Sequence, residues 1–570
     1  MPGPVMDRIP GGYRAMAVAV AARRTLSGAA STMLAPFAPR ATGLAATPHD
    51  LRPADPENGR RILAGAFVLG GETLAHGARG DPWDRASPSR GFALGLHRFG
   101  WMGDLLAQGE PGAREGLRLA LGWRRVFGRA TGFSWTVEVL ERRVYNLACA
   151  AKALSAGASD AEAAQIARDL TRQAHALLAT DRGPVRAAER AAAAAVAGAA
   201  LAGEGLLKVA LQRLERALPQ SVDPDGGHAT RSPQAALELF YDLLTLDDAL
   251  TQRGAAAPPE MSRALEGLTG AVRFFTLADG GLAAFQGGET LSRAYVAGAR
   301  AQDLSGTGPT AAKCNGYHRL GTRGLQVVAD AAAPAAGAWS VAACGQPLAV
   351  EILAAGRRLI VGSGLSGETQ AAPALRLADA ASTLTLGDQP CGQPLDGYAA
   401  QVLGPRLRDA HEVTLARRQD APGAHFLEMA HDGWARRLGL RHERRLYLDL
   451  QAEELRGEDR LTPLRAGGSP EGRRFVPFAI RFHLHPQVSA LIALDGKSVL
   501  LKADDLGAGW SLRSDAPETV LEPSTYYQND RPRRSQQVVL RGQARLDAGA
   551  RVRWKLSAAG SRVDAAPAPA

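Results

Sequence analysis

Residues 440–461, LRHERRLYLDLQAEELRGEDRL, bring an imidazole, several guanidiniums and several carboxylates into one short stretch. Those are the groups that proteins use for proton transfer and for binding metal ions. His442, together with His431 and Asp432 a few residues upstream, has the side-chain types of a metal site. Ordinary hydrogen bonding at the ends of two strands is the alternative for the same three residues.

A period of two runs through this stretch. Leu446, Leu448 and Leu450 alternate with polar residues, which is the pattern of a β-strand with one buried face. Gly457 supplies a permissive backbone in the segment that follows. We therefore expect an antiparallel hairpin here, with most of its charged side chains on a solvated face.

Two pairs of adjacent residues have the types needed for acid–base work. Tyr317 and His318, in CNGYHRL, can serve as acid and base in an elimination reaction. An aromatic residue with a polar neighbour at the start of a strand is the alternative. Tyr145 and Asn146, in ERRVYNLACA, lie on a predicted helix. Because adjacent helical residues point about 100° apart, we expect at most one of them to face a given cleft.

A third group lies around a predicted helix that starts at Ser232. His228 and Arg231 precede this helix, and because a helix N-terminus favours anions, Arg231 could hold a carboxylate. Local capping and surface exposure are the alternative. Tyr241, further along the helix, is a candidate for ligand contact or for packing. Trp135 could stack on a sugar, and packing inside a helical core is its alternative.

The elements that would position these residues change type along the chain. Residues 41–300 show the period of helices: Ser159 and Glu162 have the spacing of a capping box, and Ser232 with Pro233 marks a helix start. Beyond residue 300, short β-rich segments follow one another with turn residues between them. We expect helical hairpins in the first half and an antiparallel β-sandwich in the second.

The predicted domains follow from this change of period. They are a flexible N-terminal arm, a helical domain, a β-sandwich domain and a disordered tail, at residues 1–45, 46–300, 301–556 and 557–570.

Composition narrows the function classes. The chain has 570 residues, 46% of them hydrophobic, with four cysteines and a formal net charge of +10. Its length indicates two or three domains, and the hydrophobic content excludes wholesale disorder. The basic balance suits an acidic polymer, and arginine-rich codon usage is the alternative explanation. The widely spaced cysteines indicate neither a disulfide framework nor a structural zinc site.

Membrane and nucleic-acid classes have little support. No apolar run is long enough to cross a bilayer, so we expect no integral membrane segment. No basic patch is interleaved with aromatic residues, so we expect no nucleic-acid partner. The apolar run AMAVAVAA near the N-terminus is interrupted by Arg23 and Arg24, which leaves no clear signal peptide.

Several stretches, taken in order, resemble the bacterial heparinase II/III-like proteins over roughly residues 48–543. They are LHRFGW (96–101), PDGGHATRSPQAALEL (224–239), HDGW (431–434), HERRLYL (442–448) and FAIRFHLHPQV (478–488). The resemblance implies an incomplete α/α toroid followed by an antiparallel β-sandwich. It also implies a polysaccharide lyase that acts by β-elimination on a uronic-acid sugar, with a base for the C5 proton and an acid for the leaving oxygen.

The sequence departs from the family's usual pattern at the reacting groups. The family generally uses an Asn, a Tyr and a His. The motif that carries the Tyr here has Thr230 where a Glu is expected and Ala235 where the Tyr is expected. The helix expected to carry the Asn falls in PVRAAERAAAAAVAG (184–198), which contains no Asn.

The family's structural zinc is in doubt for the same reason. Its His-x-His-x-Asp run aligns with residues 342–346, AACGQ, and the other ligand positions fall near Gly362 and Ala381. We therefore expect no cofactor, although the resemblance leaves a structural zinc open.

The leading interpretation is a lyase for an anionic, uronate-containing polysaccharide, located in the cell envelope or periplasm. It assigns Tyr317 and His318 to acid–base work, and Arg231 and His228 to binding the carboxylate. The alternative is a glycan-binding or envelope-biogenesis protein on the same fold without catalysis, which the missing Asn, Tyr and His favour. A cytoplasmic location is the alternative to export, and the sequence indicates no oligomeric state.

Overall fold

A computed structural model describes residues 12–34, 43–130, 132–180, 183–303, 311–365, 372–464, 474–503, 509–528 and 531–560. Helices dominate the first half of these residues and strands dominate the second. This confirms the predicted fold class, an incomplete α/α toroid followed by an antiparallel β-sandwich.

Helices make up the toroid and also decorate the sandwich. They are α1 (Gly12–Leu34), α2 (Pro56–Leu63), α3 (Arg90–Arg98), α4 (Met102–Leu106), α5 (Glu110–Phe127), α6 (Val137–Ser155), α7 (Asp160–Ala179), α8 (Ala187–Ala200), α9 (Gly205–Ser221), α10 (Pro233–Gln252), α11 (Pro259–Phe275), α12 (Arg293–Arg300), α13 (Gly397–Leu403) and α14 (Ala435–Leu438).

Strands make up the sandwich, apart from a small hairpin in the toroid. They are β1 (Ala66–Leu69), β2 (Glu72–Ala75), β3 (Lys313–Cys314), β4 (Tyr317–Gly321), β5 (Leu325–Asp330), β6 (Val350–Ala354), β7 (Arg357–Val361), β8 (Leu384–Leu386), β9 (Gln393–Pro394), β10 (Leu407–Arg408), β11 (Val413–Ala421), β12 (Ala424–His431), β13 (Leu440–Asp449), β14 (Glu454–Pro463), β15 (Phe475–Leu484), β16 (Val488–Ile492), β17 (Ser498–Ala503), β18 (Trp510–Ser514), β19 (Glu518–Gln528), β20 (Arg531–Arg545) and β21 (Ala550–Ala558).

The toroid is built around α8. This alanine-rich helix is buried along its whole length and contacts α6, α7, α9 and α10. Small side chains let its neighbours approach closely: a Cβ at Gly198 would come within 2.7 Å of the backbone of Leu207. The predicted caps are present, because Ser159 and Glu162 form a capping box and Ser232 caps α10 ahead of Pro233.

Two sheets pack face to face in the sandwich. One runs β11-β12-β13-β14-β21-β18-β17-β16, and the other runs β19-β20-β15-β7-β6-β5-β4-β3, with β8 added beside β15. Their inner faces share one apolar core that includes Leu446, Leu448, Phe482 and Trp554. The second sheet also faces the toroid, so the loops between toroid helices dock on its strands.

The hairpin predicted in residues 440–461 is present, and most of its charged side chains lie on the outer face, with three polar side chains on the buried face as exceptions. β13 pairs with β14 in antiparallel register, and Leu446 and Leu448 are buried as expected. His442, Arg444 and Asp459 are buried as well. The physical reason is the period itself: His442 and Arg444 lie on the same face as Leu446, and Asp459 on β14 compensates the buried charge.

The ends of the chain differ from expectation or lie outside the described residues. Helix α1 lies in the segment predicted to be a flexible arm, and its Ala17 packs with Leu395, Ala399 and Leu403 around α13. Residues 304–310 of the predicted junction and residues 561–570 of the predicted tail are outside the described part of the chain.

Candidate functional site

The inner wall of the toroid carries a network of ion pairs centred on Asp242. This carboxylate, on α10, has no exposed side-chain surface. It accepts hydrogen bonds from Arg52 at 2.7 Å and from Arg142, on α6, at 2.9 and 2.7 Å. Arg52 also pairs with Asp50 at 3.1 Å and with Glu238 at 3.0 Å. We call this group, with the tyrosines described next, the inner-wall network.

Two of the predicted residues, Tyr145 and Tyr241, meet in this network. The Tyr145 hydroxyl accepts from Arg52 at 2.9 Å and donates to Thr245 at 2.7 Å, and the Tyr241 hydroxyl donates to the carbonyl of Tyr295 at 2.5 Å. The Arg52 guanidinium lies 5.2 Å from one ring centroid and 5.0 Å from the other. Burial raises the pKa of Tyr145 well above its ordinary value and that of Tyr241 to about 12.

The open edge of the network is formed by Glu238 and Tyr295, which sequence reasoning missed. The Tyr295 hydroxyl accepts from Arg52 at 2.9 Å and donates to Glu238 at 2.6 Å. The Glu238 side chain is 30% exposed, whereas Asp242 behind it is fully buried. Burial raises the pKa of the Tyr295 phenol, and the neighbouring Glu238 raises it further. No short sequence motif links these residues, which lie on different helices.

A second cluster on the wall contains the predicted residue His228. Glu189, on α8, lies 3.4 Å from the His228 ring and 3.9 Å from Arg186. Arg186 also donates to Glu141, on α6, at 2.5 Å. Burial would raise the pKa of Glu189, but the charge of Arg186 and the hydrogen bond from His228 lower it to about 2. The Arg186 side chain is 45% exposed and the other three are almost fully buried.

Arg231 and Tyr317 fasten the toroid to the sandwich. Arg231 donates to Asp330, on β5, at 2.6 Å, so the carboxylate that it holds is an internal one. The Tyr317 hydroxyl donates to the Arg231 carbonyl at 2.9 Å, and the Tyr317 side chain is fully buried. Burial raises the pKa of Tyr317 well above its ordinary value.

The structure does not bring Tyr317 and His318 together in one cavity. Neighbouring residues of a strand point to opposite faces, and the two lie next to each other in β4. Tyr317 packs on Phe275 and Phe285 in the toroid-side core. Burial, together with the charges of Arg418 and Lys313, lowers the pKa of His318 to about 4.

Asn146 and Trp135 lie away from the inner-wall network. The Asn146 side chain donates to the carbonyl of Arg98 at 2.8 Å. The Trp135 indole donates to the carbonyl of Phe127 at 2.7 Å, and its ring lies against Arg143 and Arg172. Trp135 is 7% exposed, so in this structure it is a packing residue of the helical domain.

The three metal candidates of the sandwich are engaged with protein groups. His431 and His442 share a hydrogen bond of 3.1 Å, and His442 bonds Asp459 at 2.8 Å. Asp432 accepts from the backbone of Glu412 at 2.9 Å, which is hydrogen bonding at a strand end. Within the described ranges, no group of three or more His, Cys, Asp or Glu side chains could hold a metal ion.

Comparisons with known proteins connect this architecture to a family. A family model described as "Heparinase II/III-like, C-terminal" matches residues 305–555. "FtsZ-localized protein C" of Caulobacter vibrioides (strain NA1000 / CB15N) is 51% identical over 529 residues, which is 91% of each chain. The chain belongs to the heparinase II/III-like family.

Solved structures of this family share the fold of the chain at low sequence identity. "Crystal Structure of Heparinase III" has a TM-score of 0.67 and 13% identity, covering 93% of this chain and 89% of that one. A heparan sulfate lyase HepC mutant from Pedobacter heparinus has a TM-score of 0.57 and 15% identity, covering 96% and 88%. Likeness at this level shows the common architecture.

The residues at the family's zinc positions do not fit a zinc ion. Of residues 342–346, Cys344 alone has a side chain of a usual zinc ligand. Its backbone N–H donates to the Gln286 side chain at 2.9 Å, and its thiol donates to the carbonyl of Ala342 at 3.6 Å. We therefore derive no chemistry through a metal at this position.

The positions of the family's reacting groups hold other residues. Ala235 lies in the first turn of α10, and Thr230 shares a 2.7 Å hydrogen bond with the His228 ring. Helix α8, where the resemblance expects an Asn, instead carries Glu189, which faces His228. A carboxylate and an imidazole thus lie close together where the resemblance places the family's reacting groups.

One signal in the sequence was missed: the repeat Asp-Gly-Gly at 225–227 and 279–281. Each copy forms the turn between two toroid helices, closed by the isolated bridges Val222–His228 and Thr276–Leu282. Each aspartate then reaches the sandwich: Asp225 accepts from the backbone of Asn315 at 2.5 Å, and Asp279 accepts from Arg358 at 2.9 Å. The repeat therefore marks two loops through which the toroid contacts the sandwich.

No helix of the described ranges is long and apolar enough to cross a membrane.

Proposed function

We propose that this chain is a non-enzymatic member of the heparinase II/III-like family that works at the bacterial division site together with FtsZ. The division-site part is supported by its relative, "FtsZ-localized protein C", which is 51% identical across 91% of both chains. Since one fold hosts many functions, the non-enzymatic part rests on the polar groups of the toroid wall.

The observation that carries the non-enzymatic part is the engagement of the wall's polar groups with one another. Asp242 is held by two arginines, and Glu189 faces His228 and Arg186. A base for elimination must reach the sugar proton within hydrogen-bond distance, and a phenol must lose its proton near neutral pH. Tyr317 is fully buried on a backbone carbonyl, and burial raises the pKa of the Tyr145 and Tyr317 phenols.

The test is the position of the protein in living cells. A fluorescent fusion of the full chain should form a band at the division site and lose that band when FtsZ is depleted. Sedimentation of purified chain with purified FtsZ polymers then separates direct binding from an indirect route. An even distribution in cells that contain FtsZ would overturn the proposal.

A polysaccharide lyase acting by β-elimination on an acidic, uronate-containing polymer is the second candidate. The observation in its favour is the half-open edge of the network, where the Tyr295 phenol bonds both Arg52 and Glu238. The raised pKa of the Tyr295 phenol works against removal of a sugar proton by this group. Release of unsaturated uronate that disappears in Tyr295→Phe would support this candidate, and the envelope or periplasm would then be the expected location.

A further inference from the structure

A cavity of about 490 Å³ lies between the α11–α12 connection and the strand ends of the nine-stranded sheet. Its wall includes Arg293, Arg357, Arg358, His485, Tyr526 and Arg533. None of the residues of the inner-wall network lines it. We call it the interdomain cavity, because the toroid contributes the residues up to Arg293 and the sandwich contributes the rest.

Positive charge dominates the wall of the interdomain cavity. Four arginines line it, and among the described lining residues Asp279 is the sole carboxylate. That carboxylate is engaged by Arg358 at 2.9 Å and lies 3.9 Å from Arg293. Several cations converging on one concave surface attract an anion.

The protonation of His485 depends on these nearby positive charges. Burial, together with the charges of Arg358 and Arg533, lowers the pKa of His485 to about 4. The ring is therefore neutral at neutral pH and lies 5.2 Å from the Tyr526 ring in an edge-to-face arrangement. It supplies a hydrogen-bonding wall without adding a charge.

The first turn of α12 adds to the same field. Ser292 caps this helix of eight residues, and both Ser292 and Arg293 line the cavity. The amino end of a helix carries partial positive charge and unpaired N–H groups, which favour phosphate-like anions. The arginines and the amino end of α12 therefore both favour an anion in the cavity.

We infer that the interdomain cavity binds a tetrahedral oxyanion, phosphate or sulfate, carried on a sugar-sized ligand. Arg293 and Arg533 provide the donors for the anion, because Arg358 already donates to Asp279 and to the carbonyl of Leu282. The volume exceeds what one anion needs and falls in the range of small-molecule sites. The Tyr526 ring and Leu291 offer an apolar wall, and the side chains of Thr290 and Gln487 offer polar partners for hydroxyl groups.

Calorimetric titration of the full chain at low ionic strength tests this inference. The probes are inorganic phosphate, inorganic sulfate, glucose 6-phosphate, glucosamine 6-sulfate and glucose. We expect saturable binding of the charged sugars, tighter than the inorganic anions, and none of glucose. The charged sugar that binds with the higher affinity then shows whether the cavity prefers a phosphate or a sulfate group.

The double variant Arg293→Gln, Arg533→Gln removes two exposed cations of the wall and should weaken binding of the charged sugars by about tenfold or more. Arg534→Gln, the next residue on β20 and not a lining residue, is the matched control and should bind like the unmodified chain. Equal affinity in the double variant and the control, or no saturable heat with any anion, would overturn the inference. Equal affinity for inorganic phosphate and glucose 6-phosphate would overturn the inference that the anion is carried on a sugar-sized ligand.

Discussion

The toroid and the sandwich each contain a charged network, and the two differ in their access to solvent. On the toroid wall, Asp242 is buried, but its neighbour Glu238 has 30% of its side-chain surface exposed, and Arg186 of the second cluster has 45% exposed. In the sandwich, Asp459, His442 and Arg444 have none. The same residue types thus form a half-open wall in one domain and a sealed support in the other.

Solvent access decides which of the two networks can serve a function beyond stability. A sealed network can hold strands in register, but a partner cannot reach it without unfolding the sheet. A half-open network can contact a partner while its buried members keep the helices in place. Charge density along the sequence does not separate these cases, because burial is decided by which face of an element the residue occupies.

The largest effect is expected for Asp459→Ala in the sealed network. Asp459 accepts from Arg444 at 2.7 Å, from His442 at 2.8 Å and from the Trp554 indole at 2.9 Å. Its loss leaves the Arg444 charge buried without a carboxylate, which should lower the free energy of unfolding by about 3–5 kcal/mol. Urea denaturation followed by circular dichroism measures the loss.

Glu458→Gln is the matched control on the same strand. Glu458 pairs with Arg445 at 3.3 Å on the outer face, where the two side chains are 20% and 37% exposed. Removing an exposed pair should change the free energy of unfolding by about 0.5 kcal/mol or less. Comparable losses for the two variants would break the distinction between the sealed face and the solvated face.

A smaller effect is expected for Arg52→Gln in the half-open network. Asp242 keeps both hydrogen bonds from Arg142 when Arg52 is replaced, so its buried charge stays paired. We expect a loss of about 2 kcal/mol in the free energy of unfolding, from the remaining broken bonds. A loss as large as that of Asp459→Ala would show that the toroid network is as structural as the sandwich network.

The buried His483 of the sandwich should make the stability of the chain depend on pH. Burial lowers the pKa of His483 to about 4, against an ordinary value of 6.5. Between these values the unfolded chain binds a proton that the folded chain does not, so stability falls as pH is lowered through this window. In His483→Gln, the free energy of unfolding should fall less steeply than in the unmodified chain, by about 1.4 kcal/mol per pH unit between these two pKa values. Identical pH profiles for variant and unmodified chain would contradict the burial of a neutral ring.

Within the half-open network, the smaller effect is expected for Tyr145→Phe. The variant removes one hydroxyl, but Thr245 still bonds the carbonyl of His49 at 3.2 Å and Arg52 still pairs with Asp50 at 3.1 Å. The loss should be about 0.5–1 kcal/mol by the same denaturation measurement. A loss well above this range would assign Tyr145 a larger share of the network than its contacts provide.

Much of the fold could be predicted because its signals are local. The capping box at Ser159 and Glu162, the start of α10 at Ser232 and the alternation of Leu446 and Leu448 are each written within a few residues. The burial of Arg444 could not be predicted in the same way. It depends on Asp459 across the hairpin and on two backbone carbonyls far away in the sequence.

The candidate site was harder to predict because its members are far apart in sequence. Arg52 and Asp242 are separated by 190 residues. Tyr145 and Tyr241, predicted by residue type, lie in one network, but their shared partner Arg52 has no motif. For Tyr317 and His318, adjacency suggested a working pair, whereas a strand sends neighbours to opposite faces. The Asp-Gly-Gly repeat is a local signal that marks two of the toroid loops at the domain junction.

An activity assay on a panel of acidic polysaccharides tests most directly whether the polar groups of the toroid wall catalyse β-elimination. The purified full chain is incubated with heparan sulfate, chondroitin, hyaluronan, alginate and the host's own envelope polysaccharide, with a heparinase as positive control. Ultraviolet absorbance of the unsaturated uronate is the readout. We predict no rise above the buffer rate on any substrate, and a rise that Tyr295→Phe abolishes would contradict the account.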